Sequence, residues 1–223
     1  MSTKQILREL ESLGTAQNRK VYKRHGVGDK MFGLSFANLK AVAKKTKSDK
    51  NLLCELWQTG NHDARILAAM IARPEDIDEK TLDTWVKDLD NYVISDAFSK
   101  MTSQTTYTRK KMEKWCRSSN EWIGATGWNL LAYMAMKDGG LPDSYFSDFL
   151  DKIEVEIHQA KNRTRHSMNN ALIAIGIRNP SLQKRATAAA KRIGKVDVDH
   201  GQTGCKTPDA VAYIEKTVQR KKK

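Results

Sequence analysis

Residues 84–98 read TWVKDLDNYVISDAF, in which a tryptophan closes one helical pattern and an asparagine opens the next. The same order occurs in LWQTGNHDARILAAM at residues 56–70 and in KWCRSSNEWIGATGW at residues 114–128. Because asparagine is favoured at helix N-caps, each stretch predicts the end of one helix, a short turn and the start of another. Stacked helix pairs of this kind form an α-solenoid, and an irregular helical bundle is the alternative.

The asparagines Asn61, Asn91 and Asn120 lie 30 and 29 residues apart, and Asn162 is predicted to begin a fourth unit. This period is shorter and less regular than that of a standard HEAT repeat. An array of such pairs is expected to present its second helices, and often their positive N-termini, in one concave groove. The predicted fold class is therefore an all-α solenoid of HEAT-like antiparallel helix pairs with a concave basic face.

Helical rather than strand periodicity runs through almost the whole chain, which contains only four prolines. Residues 1–223 are expected to form a single domain, with a polar C-terminal loop at residues 195–207 and a basic tail at residues 220–223. The predicted helices cover residues 3–13, 15–25, 36–46, 49–58, 61–73, 78–89, 91–101, 105–117, 120–136, 143–159, 164–177, 180–193 and 208–219.

Positive charge is concentrated at both ends of this chain of 223 residues, whose net charge is +13. Residues 1–50 contain twelve Lys or Arg against four acids, and residues 160–223 contain fifteen against four. Residues 74–90 reverse the balance, with seven acids and two lysines. This segregation favours a polyanionic partner, above all a nucleic acid, over a surface whose charge serves only solubility.

The chain has no apolar run of the length that a membrane helix needs, and residues 1–14 are typical of an amphipathic helix rather than a cleaved signal. We therefore expect a soluble cytoplasmic protein that has no membrane partner. Its three cysteines, Cys54, Cys116 and Cys205, are far apart and are expected to be reduced. The sequence indicates neither a cofactor nor an obligate protein partner.

Asp96 is the candidate catalytic residue, and it lies within NYVISDAFSK at residues 91–100. On a helix it shares an i, i+4 row with Tyr92 and Lys100, apart from the apolar positions. The structural alternative is an exposed ion pair between Asp96 and Lys100, which contributes about 0.5 kcal/mol. The functional interpretation is a carboxylate beside an aromatic ring that stabilises positive charge developing in a substrate, as glycosidic bond cleavage requires.

A second candidate site is the run KNRTRH at residues 161–166, which places positive charge at a helix start, where the helix dipole favours acids. An anion bound to the free amide groups would resolve this conflict, and arginine is well suited to phosphate. Phosphate contact and simple solvated charge are both open. The candidate DNA-contact residues in this run are Lys161, Arg163, Arg165 and His166.

The stretch GATG at residues 124–127 places two glycines inside a predicted helix, at a cost of about 1 kcal/mol each relative to alanine. Close approach of a neighbouring helix would explain them, and approach of a DNA backbone is the functional alternative. Trp122 and Trp128 flank the glycines and are candidate DNA contacts, although core packing is the more common role for such residues.

The C-terminal segment at residues 195–216, KVDVDHGQTGCKTPDAVAYIEK, combines two turn glycines with a final helix whose predicted N-cap is Thr207. Its spacing of acids, histidine and cysteine fits neither a zinc pattern nor a calcium loop, so no metal site is predicted. A nucleophilic pair of Cys205 and His200 is an alternative. We expect a fixed loop that caps the solenoid. The residues that raise the metal question are Asp197, Asp199, His200, Cys205 and Asp209.

Several stretches resemble the bacterial DNA alkylation repair family, the HEAT-like-repeat glycosylases of the AlkD type. They are VYKRHGVGDKMFGLSFANLKAVAKK at residues 21–45, the tryptophan-anchored helix pairs, NYVISD at residues 91–96 and SSNEWIGATGW at residues 118–128. The resemblance extends roughly from Tyr22 to Ile177. It implies a solenoid that grips duplex DNA in its concave face and excises cationic N3- or N7-alkylated purines, without the base flipping that most glycosylases need.

The resemblance assigns the family's catalytic aspartate to Asp96, and the aromatic residue four positions earlier, usually tryptophan, is Tyr92 here. The family's DNA-gripping arginine falls near Ala125 and its later tryptophan near Ala174, so both of those side chains are missing. Excision of alkylated purines is the leading expectation. The alternatives are a non-catalytic HEAT-like module that recognises damaged or branched DNA, and a protein-interaction scaffold.

Overall fold

A computed structural model of the protein describes residues 2–137 and 140–221. Within these ranges it contains thirteen α-helices, two 3-10 helices at Pro74–Asp76 and Val86–Asp88, and no β-strand. The α-helices are α1 Thr3–Leu13, α2 Ala16–Arg24, α3 Phe36–Lys45, α4 Lys50–Gln58, α5 His62–Ile71, α6 Glu79–Trp85, α7 Tyr92–Thr102, α8 Thr108–Trp115, α9 Glu121–Lys137, α10 Asp143–Glu156, α11 Asn162–Gly176, α12 Pro180–Ile193 and α13 Ala210–Lys221.

The predicted helices are all present, and their boundaries agree within three residues except at the end of α6, where the chain continues as a 3-10 helix. Three asparagines cap helices as the repeat predicts. The Oδ1 atom of Asn61 accepts from the Ala64 amide, that of Asn91 from the Val93 and Ile94 amides, and that of Asn120 from the Trp122 and Ile123 amides.

α11 begins at Asn162, the residue predicted to begin a fourth unit, and the Asn162 side chain exchanges two hydrogen bonds of 2.7 Å with the backbone of Asp199. One predicted cap, Thr207, is wrong because its side chain has another partner. The last helix begins at Ala210, and its first turn is capped by Asp209, whose Oδ1 accepts from the Ala212 amide at 2.8 Å. The hydroxyl of Thr207, the predicted cap, lies 3.0 Å from Nε2 of His200 instead.

The chain divides into two compact units. The N-terminal unit comprises the residues up to Tyr107 together with Gly201–Thr203, and the C-terminal unit comprises Thr108–His200 with the residues from Gly204 onward. A single domain over residues 1–223 stays a prediction. Of the basic tail, Lys222 and Lys223 lie outside the described residues. No helix in residues 2–137 and 140–221 is both long and apolar enough to cross a membrane.

The N-terminal unit packs α5 against α3, α4 and α7, with the repeat tryptophans in the core. The rings of Trp57 and Trp85 are parallel, with centroids 4.2 Å apart, and the Trp57 indole donates to Asp88 at 2.8 Å. The carboxylate of Asp63 on α5 is fully buried and accepts from the amides of residues 32, 33 and 34 at 2.7 to 2.9 Å. These bonds fix the segment that joins α2 to α3.

The C-terminal unit is built around α9, which packs extensively on α11 and α8. A Cβ atom at Gly127 would lie 2.6 Å from the backbone carbon of Trp115 at the end of α8. A Cβ atom at Gly124 would lie 3.1 Å from Oγ1 of Thr164 on α11. Close approach of neighbouring segments therefore explains both glycines.

Candidate functional site

The start of α7 carries Tyr92 and Asp96 one helical turn apart. The Asp96 side chain is exposed and Tyr92 is partly buried, whereas Ile94 and Phe98 on the opposite rows are buried in the core. The polar row is thus separate from the apolar face, as the sequence predicts. The carboxylate of Asp96 is accessible to a ligand.

Tyr92 is held by a residue that the sequence reasoning missed. Its hydroxyl contacts Nδ1 of His25, and the two rings meet edge to face with centroids 5.6 Å apart. His25 is the C-cap of α2 and precedes Gly26, whose φ is 78°. The only signal for this contact was the position of His25 within the family-like stretch at residues 21–45.

A small apolar cluster fixes the backbone beneath this contact. Val93 of α7 packs against a buried cluster formed by Tyr22, Val27 and Met31. The Tyr22 hydroxyl donates to the carbonyl of Leu34 at 2.6 Å, and burial, reinforced by the negative charge of Asp63, raises the pKa of Tyr22 to about 12. The phenol therefore stays protonated, and Val93 of α7 packs on an apolar cluster that includes Tyr22 of α2.

The carboxylate of Asp96 beside the phenol of Tyr92 can stabilise a positive charge in a bound ligand. An exposed carboxylate one turn from a positioned phenol places a negative charge next to an aromatic side chain on a rigid helix. Such a carboxylate stabilises a sugar cation that forms as a glycosidic bond breaks. The same residues could also bind a cationic ligand without any reaction.

The start of α11 differs from the prediction of a phosphate bound to free amides. The amide of Arg163 donates to Oε1 of Glu121 at 2.7 Å, and the Thr164 hydroxyl donates to the Glu121 carbonyl at 2.9 Å. The chain itself therefore supplies the anion that the helix dipole favours. Lys161 is exposed and Arg163 is partly buried.

Arg165 has a structural role that the sequence did not indicate. Its guanidinium donates to the backbone carbonyls of Asp197 at 2.8 Å, Ala160 at 2.9 Å and His158 at 3.2 Å. These bonds tie α11 to the end of α10 and to the loop before α13. Arg165 thus has partners within the chain, and its contact with phosphate stays a prediction.

His166 is largely buried, and its ring lies edge to face with that of His200, with centroids 5.5 Å apart. Burial, with the nearby positive charge of Arg163, lowers the pKa of His166 to about 4. Its Nδ1 atom is buried without a hydrogen-bond partner among the described residues. His166 is therefore neutral near pH 7, which does not favour a contact with phosphate.

The two tryptophans of α9 have different environments. Trp128 is 1% exposed and meets the Phe149 ring edge to face, so it cannot stack on a DNA base in this fold. The prediction that it contacts DNA is therefore not carried further, whereas Trp122 is partly exposed and keeps that prediction. Ala125 and Ala174 are 3% and 4% exposed, so neither position presents a side chain to a ligand.

The loop between α12 and α13 borders a cavity of about 480 Å³ that is lined by Asp197, His200, Cys205 and Asp209, among others. In residues 2–137 and 140–221, no three His, Cys, Asp or Glu side chains are grouped so that they could hold a metal ion. His200 contacts the Thr207 hydroxyl, and Cys205 is exposed and forms no disulfide.

Comparisons with known proteins cover nearly the whole chain. It is 29% identical to an uncharacterized protein of Listeria innocua over 97% of both chains, and 29% identical to one of Listeria monocytogenes over 98% of both. A solved structure comes from a family of proteins related to the HEAT-like repeat DNA glycosylases with affinity for branched DNA structures. It is 30% identical, with a TM-score of 0.90 over 99% of this chain and 95% of that one.

This structural likeness confirms the predicted fold class, an all-α fold of HEAT-like repeats. The sequence model of the DNA alkylation repair enzyme family matches residues 6–214. The match includes α7 with Tyr92 and Asp96, and it extends beyond residues 22–177, to which the motif resemblance is limited. The chain therefore belongs to the DNA alkylation repair enzyme family.

Proposed function

We propose that the protein binds duplex DNA and excises N3- or N7-alkylated purines by cleavage of the N-glycosidic bond. The observation that carries this proposal is the exposed Asp96 carboxylate one turn after Tyr92, whose hydroxyl contacts His25. The DNA alkylation repair enzyme family, to which the chain belongs, and the net charge of +13 support DNA as the substrate.

The reaction needs a carboxylate that opposes positive charge, and it does not need an acid to protonate the leaving base. Alkylation at N3 or N7 gives the purine a positive charge, so the base leaves as a neutral molecule that takes both electrons of the C1′–N bond. The deoxyribose becomes cationic, and Asp96 stabilises this charge until water adds to C1′ and loses a proton. His25 acts as a positioning residue because it contacts Tyr92 rather than the substrate.

The test is release of free base from duplex DNA that contains N7-methylguanine. The wild-type protein is expected to release the base, and Asp96→Asn is expected to slow release about 100-fold, because the amide keeps the shape but loses the charge. A matched control is Glu11→Gln, which neutralises an exposed carboxylate on α1 in the same unit. Absence of release by the wild type, or equal rates for Asp96→Asn and the control, would contradict the proposal.

A second candidate is recognition of branched DNA without catalysis. It is favoured by the solved relative's family, which is described as having affinity for branched DNA structures, and by the buried Ala125 and Ala174 at two positions that the family resemblance makes functional. It predicts tighter binding to a three-way junction than to a linear duplex of equal length. It also predicts no base release and the same junction affinity for Asp96→Asn as for the wild type.

A further inference from the structure

A depression of about 850 Å³ lies along α2 in the N-terminal unit. Its lining combines one side of α2, the turn that follows and the tip of the C-terminal loop at Gly201 and Gln202. The charged residues in this lining are Arg19, Lys20, Lys23, Arg24 and Asp29.

Most of the positive charge in this depression is not neutralised by acidic side chains of its lining. Asp29 is its one carboxylate among the lining residues and pairs with Lys23 at 2.5 Å, while Arg19 donates to the carbonyl of Phe32 at 3.1 Å. Lys20 and Arg24 are exposed, and neither makes a hydrogen bond or ion pair through its side chain within the part of the chain that the structure describes. Two cations are therefore available to an external anion.

The helix dipole explains only part of this charge. Lys23 and Arg24 lie in the last turn of α2, where cations are favoured by the negative helix end. Lys20 lies a turn earlier and is not explained in that way. A ligand with several negative charges explains the position of these basic residues better than the helix dipole alone does.

The surface is open beside both cations. Gly26 has no heavy atom within 4 Å of the position that a Cβ atom would take, and Gly201 has only the Arg24 carbonyl oxygen, at 3.6 Å. A phosphate can therefore approach the Lys20 and Arg24 side chains past these two glycines. The Gly26 amide already donates to the carbonyl of Lys23 at 3.0 Å, so the phosphate contacts come from the cationic side chains.

Two residues that line the depression are neighbours in sequence of His25, which contacts the candidate catalytic residue Tyr92. Arg24 and Gly26 line it, and His25 between them contacts the Tyr92 hydroxyl, one turn before Asp96. A strand whose phosphates lie on Lys20 and Arg24 would thus run beside α7.

We propose that this depression binds phosphates of the DNA backbone and positions a strand beside Asp96. The proposal rests on the proposed function only in taking DNA as the partner, and it holds with or without base excision.

The experiment measures affinity for an unmodified linear duplex over a series of salt concentrations. In Lys20→Ala with Arg24→Ala, two phosphate contacts are lost, so the slope of log affinity against log salt should fall by about 2. Affinity at physiological salt should fall about tenfold or more. The matched control is Lys40→Ala with Lys44→Ala, which removes the same charge from an exposed row of α3 in the same unit.

The control variant should keep nearly the wild-type slope, and circular dichroism should show both variants folded. Wild-type affinity and slope in Lys20→Ala with Arg24→Ala would overturn the proposal, as would an equal loss in the α3 control. If the wild type itself fails to bind duplex DNA at low salt, both this proposal and the proposed function are contradicted. If the wild type binds DNA through α2 but releases no base, only base excision is contradicted.

Discussion

Two helical regions, α2 and the start of α11, both carry a run of basic residues but differ in what their charges contact. At α11, Glu121 accepts from the amide of Arg163, and the Arg165 guanidinium binds three backbone carbonyls. At α2, Lys20 and Arg24 line an open depression. A run of cations therefore indicates an external partner only where the chain does not supply its own acceptors.

The acids on α5 and α7 show the same contrast. Asp63 is fully buried and accepts three backbone hydrogen bonds, whereas Asp96 is exposed at the side of α7. Both follow a repeat asparagine within five residues. One acid holds the fold, and the other is accessible to a substrate.

The largest effect should come from Asp63. Asp63→Ala leaves three amide donors without an acceptor in the core, so we expect the free energy of unfolding to fall by about 4 kcal/mol. Urea denaturation followed by circular dichroism measures this change. Asp96→Ala removes an exposed side chain, so it should lower the unfolding midpoint far less. An equal loss in both variants would contradict the different roles of the two acids.

A pH effect should follow from His166. Its pKa is about 4 in the folded protein and near 6.5 in an unfolded chain, so the unfolded state binds more protons between these values. Stability contributed by His166 should therefore be complete above about pH 6.5 and fall as the pH drops toward 4, by about 3 kcal/mol in total.

Urea denaturation at a series of pH values tests this sign. The charges that face His166 are Arg163 and the His200 ring, and both disfavour its protonation. In His166→Phe, the fall in stability between pH 6.5 and 4 should be smaller than in the wild type. Carboxylates that also titrate in acid are common to both proteins and cancel in the comparison. Identical pH profiles would show that His166 is not held neutral.

A smaller loss of stability is expected at the start of α11. Arg165→Ala removes three hydrogen bonds from a charged donor to partly accessible carbonyls, which should cost about 2 kcal/mol. Arg163→Ala keeps the amide that Glu121 binds, so it should cost less. Thermal unfolding of the two variants side by side decides the order. A more stable Arg165→Ala protein would contradict this structural role of Arg165.

The sequence predicted most of the fold because helix periodicity and N-cap residues act locally. Asn61, Asn91 and Asn120 cap helices where the repeat placed them. Asn162 begins α11, although its side chain binds the Asp199 backbone. Thr207 was misassigned as a cap because its hydroxyl contacts a tertiary partner, the His200 ring.

The candidate site was predictable only in part. Tyr92 and Asp96 are neighbours on one helix, so their spacing was sufficient to pair them. His25 is 67 residues away from Tyr92 along the chain, and Arg165 binds carbonyls that carry no sequence signal. Contacts of this kind depend on packing between helices, which a periodic pattern does not encode.

The most direct test of the central contrast compares two double variants in one DNA-binding measurement. Lys20→Ala with Arg24→Ala removes two of the exposed cations of α2, and Lys161→Ala with Arg163→Ala removes the same number of charges at α11. With a linear duplex at physiological salt, we expect a loss of about tenfold or more for the α2 pair and less than about threefold for the α11 pair. A larger loss at α11 than at α2 would contradict the account.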